Sequence, residues 1–402
     1  MAETPYFVSY PEALNILKRH PLDLSTEHIA LDDALHRILA QDLESKVNDP
    51  RFDNSSMDGF AFRHQDSIQT PVSLDIVQTI QAGSNSPHES ISLGQAARIM
   101  TGARIPKGAN AILPIEKCEV NQENATVLLL EEGKKHFIRK QGENLRKGDI
   151  ALHKGDVLTP SSLGLCATMG YPKIPVFTQA KIGILSTGDE LKFPGDELNE
   201  TEIYESNSFG LSGLARLSGH EVKRYDSVID SLDELRDTLN LAAQECDLIL
   251  TSGGVSMGDW DLVRKLMEEE GHIKFWRVKI RPGSPPLFGY WNGIPLFGLP
   301  GNPASSHVVF RMLVAPYLRH STHGGIQERK VRVQLAEPLK TDKNFLVLRR
   351  IKIDMSGDQM LAFSTGYQGS GNLNSLVLAD GLTLLEPGHT GEIGTWCEAL
   401  LL

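Results

Sequence analysis

Thr251-Ser252-Gly253-Gly254-Val255-Ser256-Met257-Gly258-Asp259-Trp260-Asp261 joins two unlike segments. The apolar run Leu248-Ile249-Leu250 leads in, with the length and residue types of a buried parallel strand. Leu262-Val263 and Leu266-Met267 lead out at helical spacing. Adjacent glycines let a backbone approach a ligand closely and leave N–H groups pointing outward. A helix start just behind them favours an anion. Asp259 and Asp261 cannot serve that anion directly, so they suit a metal ion held between protein and a phosphate or other oxyanion. Alone, the stretch reads first as a tight strand-to-helix turn with an acidic N-cap.

The surrounding pattern gives the stretch its setting. Lys181 to Ser186 reads as a strand, Ser206 to Ser218 as a helix and Glu221 to Ile229 as a strand. Ser231 and Glu234 have capping-box spacing, with Leu232, Leu235, Leu239 and Ala242 as the buried stripe. Asp247 to Leu250, Phe275 to Ile280 and Ile294 to Phe297 read as strands, and Ala304 to Leu318 as a helix. Units of this length in alternation predict a doubly wound parallel sheet with helices on both faces. After Gly324-Gly325 the helical signal vanishes. Val331-Arg332-Val333, Leu346 to Ile353, Met360 to Phe363 and Thr383-Leu384-Leu385 predict a compact, barrel-like all-β domain.

Upstream, Ser9 and Glu12 have capping-box spacing with Pro11 early in the helix. Leu31, Ala34, Leu35 and Ile38 predict a second helix over Leu31 to Leu39. Asp53-Asn54-Ser55-Ser56-Met57-Asp58-Gly59-Phe60-Ala61 passes from a polar turn into a strand; such a loop solvates or binds a ligand. Short strands over Val72 to Ile80, Ala96 to Met100, Ala111 to Ile115 and Ala125 to Leu130 predict a small, mainly β domain. A helix over Ser161 to Met169 follows the turns at Gly148-Asp149 and Gly155-Asp156.

The chain has 402 residues, enough for about two to four domains. Its net charge of −11 argues against a general nucleic-acid or membrane-surface binder. Cys118, Cys166, Cys246 and Cys397 are far apart, which suits a reducing compartment and gives no zinc framework. The first residues lack the pattern of a signal peptide, and no run approaches the ~20 apolar residues that span a bilayer. A cytoplasmic location is expected.

In an open α/β sheet, ligands sit beyond the C-terminal strand ends. That rule selects Thr187-Gly188-Asp189-Glu190, Asp230, Ser252 to Asp261, Arg281-Pro282-Gly283 and Leu299-Pro300-Gly301-Asn302-Pro303. In Phe275-Trp276-Arg277-Val278-Lys279-Ile280-Arg281 the cations fall at every second position, so Arg277, Lys279 and Arg281 share one strand face. Three cations held together in an acidic protein point to an anion, against the simpler reading of a solvated edge. Glu190, Asp230 and Asp261 at the same edge fit a hard divalent cation such as Mg²⁺. Metal and cations together suit phosphate-ester chemistry. No Walker loop, Ser-His-Asp order or Gly-x-Gly-x-x-Gly is present, which disfavours a kinase, serine hydrolase or dinucleotide dehydrogenase.

Five motifs in order resemble the molybdopterin molybdenumtransferase family (MoeA and the gephyrin E domain). They are Asp53 to Ala61, Arg98-Ile99-Met100-Thr101-Gly102-Ala103, Ser186-Thr187-Gly188-Asp189-Glu190-Leu191, Thr251 to Gly258, and Leu299 to Pro303. The resemblance implies insertion of molybdate into adenylated molybdopterin with Mg²⁺, releasing AMP and molybdenum cofactor. It implies a homodimer with the cleft shared between subunits. It also raises a molybdopterin adenylyltransferase or cofactor-accepting enzymes as partners. Its division of the chain would be an N-terminal helix (1–25) packed on the α/β domain, a linker domain (26–47 and 146–178), a mainly β domain (48–145), the molybdopterin-binding α/β domain (179–325) and an all-β C-terminal domain (326–402). Glu190, Asp230 and Asp261 would stand near metal and phosphate. Asp58 and Thr101 would face the same cleft across the dimer and join the catalytic group. Substrate would meet Ser252, Gly253, Gly254, Ser256, Arg277, Lys279, Arg281, Pro300, Gly301, Asn302 and Ser370. Asp259 would be a helix N-terminal residue complementing the dipole.

The chain departs from the family pattern at Arg281 and Ser284, where lysines are usual, at Asn110 and Asn144, where Asp is usual, and at Val347, where Arg is common. Arg349 and Arg350 lie close to Val347. These changes touch the substrate side and leave the carboxylates in place. An alternative is a catalytically reduced member acting as a molybdopterin-binding or scaffold protein. Another is synthesis of the adenylate itself, which belongs to a separate, smaller domain of the same α/β type.

Overall fold

The computed structural model describes residues 5–84, 88–256, 258 and 261–402. Asp259 therefore lies outside the described residues. Among these residues, the largest sheet has seven strands in the order Tyr6–Val8, His272–Val278, Leu287–Trp291, Ile294–Leu299, Leu248–Ser252, Lys181–Ser186, Glu221–Arg224. Leu248–Ser252 is an interior strand, parallel to its neighbours Lys181–Ser186 and Ile294–Leu299. Every residue of that strand is buried. A strand covered on both faces has no polar side to show, hence its continuous apolar run.

Alternation divides the sheet between two cores. Ile182, Ile184, Leu248 and Leu250 enter one, with Leu211 and Leu214 of helix Asn207–Leu217 and Val308 of helix Pro303–Val309. Leu185 and Ile249 enter the other, with Leu235 and Leu239 of Leu232–Glu245 and Val263 and Leu266 of Leu262–Glu269. The sheet is therefore doubly wound. The first core also takes Ala13 and Leu17 from the N-terminal helix Tyr10–Lys18, whose Ser9 accepts a hydrogen bond from the Glu12 N–H at 3.4 Å.

One strand, Leu287–Trp291, runs antiparallel to both neighbours. Asn292 and Gly293 form its turn at φ 47° and 82°. Positive φ at both central residues makes a tight hairpin whose twist matches its strands.

The expected helix over Leu31 to Leu39 is not formed. Leu31–Asp33 is a single 3₁₀ turn. His36 then takes φ 62°, which no α-helix tolerates, and Ile38 and Leu39 bridge to Val157 and Val176. Just upstream, Thr26–Ala30 pairs antiparallel with Lys173–Phe177. Long-range strand pairing has overridden a local helical spacing. The strand expected to reach Ile229 ends at Arg224, at the sheet edge, where it has one neighbour.

The small β region is a six-stranded sheet in which Gly59–Phe62 is buried between Gln95–Ile99 and Ala111–Pro114. The C-terminal strands Lys330–Leu335, Leu361–Ser364, Arg350–Asp354, Gly381–Leu384 and Trp396–Leu401 close into a barrel. Among the described residues, no helix is long and apolar enough to cross a membrane.

Candidate functional site

Strand Leu248–Ser252 delivers the glycine turn to the sheet edge. Gly253 takes φ 97° and Gly254 φ 67°. A Cβ on Gly253 would lie 2.9 Å from Thr187 Oγ1 and 3.0 Å from the Thr187 carbonyl oxygen, so glycine is needed for both conformation and space. Gly301 packs against Gly253, and the Gly253 N–H donates to the Leu299 carbonyl at 3.0 Å. The turns after three strands thus meet backbone to backbone. Ser252 is buried, and its hydroxyl accepts from Asn207 Nδ2 at 2.6 Å, which also donates to the Gly301 carbonyl at 2.6 Å. Ser252 and Asn207 therefore tie the two turns together. Pro300 is buried; Ser256 and Gly301 are exposed.

Beside this turn lies an acidic cluster. Burial holds the Asp230 carboxyl above its usual range, and the charges of Asp189, Glu190 and Asp261 push it further. Asp189 accepts from the Asp230 N–H at 2.8 Å. Glu190 folds back over Gly188, where a Cβ would stand 2.4 Å from Oε2; Gly188 sits at φ 147°. Asp261 heads helix Leu262–Glu269 and accepts from the Gly258 N–H. Among the described residues, no group of three or more His, Cys, Asp or Glu side chains is arranged to hold a metal ion by itself. Glu190, Asp230 and Asp261 share an electrostatic field without forming a closed ligand set.

The basic stretch is reshaped. The strand breaks between His272–Val278 and Ile280–Arg281, and Arg277 takes φ 67°. Alternation survives in burial: Val278 and Ile280 are buried, whereas Arg277, Lys279 and Arg281 are not. Aromatic rings, rather than a flat strand face, now gather the cations. Arg277 lies 4.6 Å from the Phe7 ring centroid and Arg281 lies 4.1 Å from that of Phe345. Arg281 also pairs with Asp342 at 2.7 Å. Trp276 links this strand to the glycine turn by donating from Nε1 to the Val255 carbonyl at 3.0 Å.

The C-terminal barrel reaches the same edge. The Ser370 carbonyl accepts from the Ala304 N–H at 3.0 Å, so it caps the helix that follows Asn302. Arg349 is close enough to Arg281 for that charge, added to burial, to lower its pKa. Arg350 is fully buried and donates to Ser375 Oγ and the Gly369 carbonyl, both at 2.9 Å, fixing the loop that presents Ser370. Val347 is buried in the barrel core.

Asp58 and Thr101 pair with each other in the small β region. Asp58 Oδ1 accepts from the Thr101 N–H at 2.6 Å and the Thr101 hydroxyl at 2.9 Å, and these bonds lower its pKa. Among the described residues, neither makes a hydrogen bond or ion pair that reaches the α/β sheet edge. Asn110 accepts from the His64 N–H at 2.7 Å and Asn144 donates to Asp49 at 3.1 Å; both tie together segments distant in the chain. Ser284 donates to the Val278 carbonyl at 3.3 Å across the strand break.

Sequence reasoning passed over Asn207, Trp276, Tyr6 and Phe7. No motif announces them. For the aromatics, the one available signal is a Tyr-Phe pair ahead of a capped helix, which becomes meaningful only once Tyr6–Val8 joins the sheet.

Three family matches cover most of the chain. Residues 8–170 match the family described as MoeA N-terminal region (domain I and II), residues 183–320 match probable molybdopterin binding domain, and residues 332–402 match MoeA C-terminal region (domain IV). A molybdopterin molybdenumtransferase of Staphylococcus epidermidis is 32% identical over 96% of this chain and 93% of its own. One from Bacillus subtilis is 34% identical over 94% and 90%. A crystal structure of a molybdopterin biosynthesis MoeA protein from Pyrococcus horikoshii superposes with a TM-score of 0.84 at 28% identity, covering 98% of this chain and 100% of that one. The chain belongs to the molybdopterin molybdenumtransferase family.

Proposed function

We propose that this chain is an enzyme of molybdenum cofactor biosynthesis that inserts molybdate into adenylated molybdopterin, with Mg²⁺, releasing AMP and molybdenum cofactor. One observation above all supports the reading: the glycine turn, an acidic cluster and three cations occupy one sheet edge in a member of this family. The turn's backbone suits a phosphate. Arg277, Lys279 and Arg281 suit the oxyanion.

The acidic cluster fits Mg²⁺ in donor chemistry. Its ligands are all oxygens, and among the described residues none of Asp189, Glu190, Asp230 and Asp261 forms an ion pair. Mg²⁺ is commonly held by one or two carboxylates together with substrate phosphates and water. A partly open set is therefore what such a site needs, with Asp230, Glu190 and Asp261 as its protein donors. Bound there, the ion would offset charge on the departing phosphate. The residues themselves orient the pyrophosphate, and Asn207 holds the two turns together.

Asp58 and Thr101 enter as a contribution from the partner subunit of a homodimer, since within one chain they pair with each other. Purified protein supplied with adenylated molybdopterin, molybdate and Mg²⁺ is expected to release AMP, and chelation of the metal is expected to stop it. Tight binding of molybdopterin with no AMP release would favour a non-catalytic binding role.

A further inference from the structure

Arg350 opens the barrel strand Arg350–Asp354 and is 0% exposed. Among the described residues it forms no ion pair, and its Nη1 has no hydrogen-bond partner. Burial, with the charge of neighbouring Arg349, brings its pKa down to about 10. A charge taken out of water with no carboxylate beside it is unfavourable in itself. The gain from keeping it lies in what its other two nitrogens hold.

Backbone and side chain of Arg350 hold different halves of one loop. Its N–H donates to Gln368 Oε1 at 2.9 Å, and its carbonyl accepts from Gln368 Nε2 at 3.0 Å and from the Thr365 N–H at 3.1 Å. These bonds need no particular side chain at position 350, and they secure residues 365–368. The guanidinium secures the rest. Nη2 donates to the Gly369 carbonyl and Nε to Ser375 Oγ, both at 2.9 Å. Ser375 passes the restraint on by donating to the Asn372 carbonyl at 2.6 Å, and Asn372 donates to the Tyr367 carbonyl at 2.8 Å. Ser370 and Gly371 lie between the two points that the guanidinium grips. The Ser370 carbonyl takes the Ala304 N–H, and a Cβ on Gly371 would stand 3.7 Å from Asn302 Oδ1. The far half of the loop therefore borders the turn that carries Gly301 and Asn302. A planar guanidinium holds two acceptors at a set spacing, which an ammonium or an apolar chain cannot do.

We propose that Arg350 is a positioning residue for the substrate: its guanidinium fixes residues 369–375 so that Ser370 meets adenylated molybdopterin beside the Gly301–Asn302 turn. The inference rests on the function proposed above. It separates the two halves of the loop, because only the far half depends on the side chain.

Binding of adenylated molybdopterin to the full-length protein is measured by calorimetry without molybdate, and amide exchange is followed in parallel. Arg350→Met keeps the length and removes every side-chain donor. It is expected to weaken binding by about three- to tenfold, and Ser370→Ala by a similar factor. Because both act on one contact, the double variant should bind within about twofold of the weaker single variant. In Arg350→Met, exchange should quicken about tenfold at Ala304 and over residues 369–375, with residues 351–353 and 382–384 within about twofold of the parent. Losses that multiply in the double variant, undiminished binding in Arg350→Met, or exchange that quickens equally across the barrel strands would overturn the proposal. If Arg350→Met does not fold, the same cycle with Arg350→Lys, which keeps the charge but not the two-armed fork, decides in the same terms. A parent that binds no adenylated molybdopterin would refute the proposed function and the substrate role with it, whereas exchange over residues 369–375 would still decide whether Arg350 holds the loop.

Discussion

The two ends of the proposed cleft handle charge in opposite ways. At one end burial, together with the charges of Asp189, Glu190 and Asp261, pushes the Asp230 carboxyl upward. At the other end Arg277, Lys279 and Arg281 rest on Phe7 and Phe345. The acidic end is relieved by a proton or a metal ion. The basic end is held mainly by rings that take no part in titration, with one ion pair from Arg281 to Asp342 at 2.7 Å. Ionic conditions should therefore act mainly on the first, and packing on the second.

The sharpest way to break this contrast is to remove charge from the acidic end while keeping its hydrogen bond. Asp261→Asn retains an acceptor for the Gly258 N–H. We expect AMP release to fall on the order of 100-fold or more while the melting temperature stays close to the parent's. Near-normal turnover in this variant would remove Asp261 from the metal's neighbourhood.

A mixed dimer asks whether the acidic end is complete within one subunit. Asp58→Ala and Asp261→Ala chains, each inactive alone, should regain about a quarter of parental activity when co-assembled at random, because half the dimers then hold one intact site. No recovery would place Asp58 in the same subunit's site or outside the reaction.

Gly253→Ala tests the wall between the two ends. At φ 97°, with Thr187 Oγ1 2.9 Å from the new Cβ, the variant should lose about 1–3 kcal/mol of stability in denaturant titrations. Parental stability would mean that the turn relaxes easily and does not fix the cleft.

The smallest effect concerns pH. A carboxyl whose folded pKa is raised binds its proton longer in the folded state than in the unfolded one. Its contribution to stability is full below the ordinary carboxylate range and is lost as pH rises through Asp230's raised pKa. Asp230→Asn should flatten that slope in metal-free buffer and raise the melting temperature by about 1–3 °C near neutrality. The same variant should bind Mg²⁺ on the order of tenfold more weakly. A lower melting temperature without metal would show that Asp230 makes a favourable contact that outweighs the repulsion.

The acidic end was the more legible of the two in the sequence. Its residues lie in the loops that follow strands, and the rule for open α/β sheets collects them without knowledge of long-range pairing. The glycine turn was legible for the same reason. The basic end was legible only as charges. Alternation correctly put Arg277, Lys279 and Arg281 away from the core, but the strand break and the two supporting rings depend on contacts with residues 6–7 and 345, more than 60 positions away. Leu287–Trp291 was missed although Asn292-Gly293 is a strong hairpin signal, because the expectation of alternating strand and helix left no place for a meander. The Leu31 to Leu39 helix failed because local spacing cannot foresee a strand partner about 140 residues downstream.

The most direct test of the central claim is a single-turnover measurement of AMP release from adenylated molybdopterin by the purified protein, with and without molybdate and with Mg²⁺ present or chelated. The account predicts release coupled to molybdenum insertion that requires both molybdate and Mg²⁺. Release that is indifferent to molybdate, or insertion that proceeds equally after chelation, would contradict it.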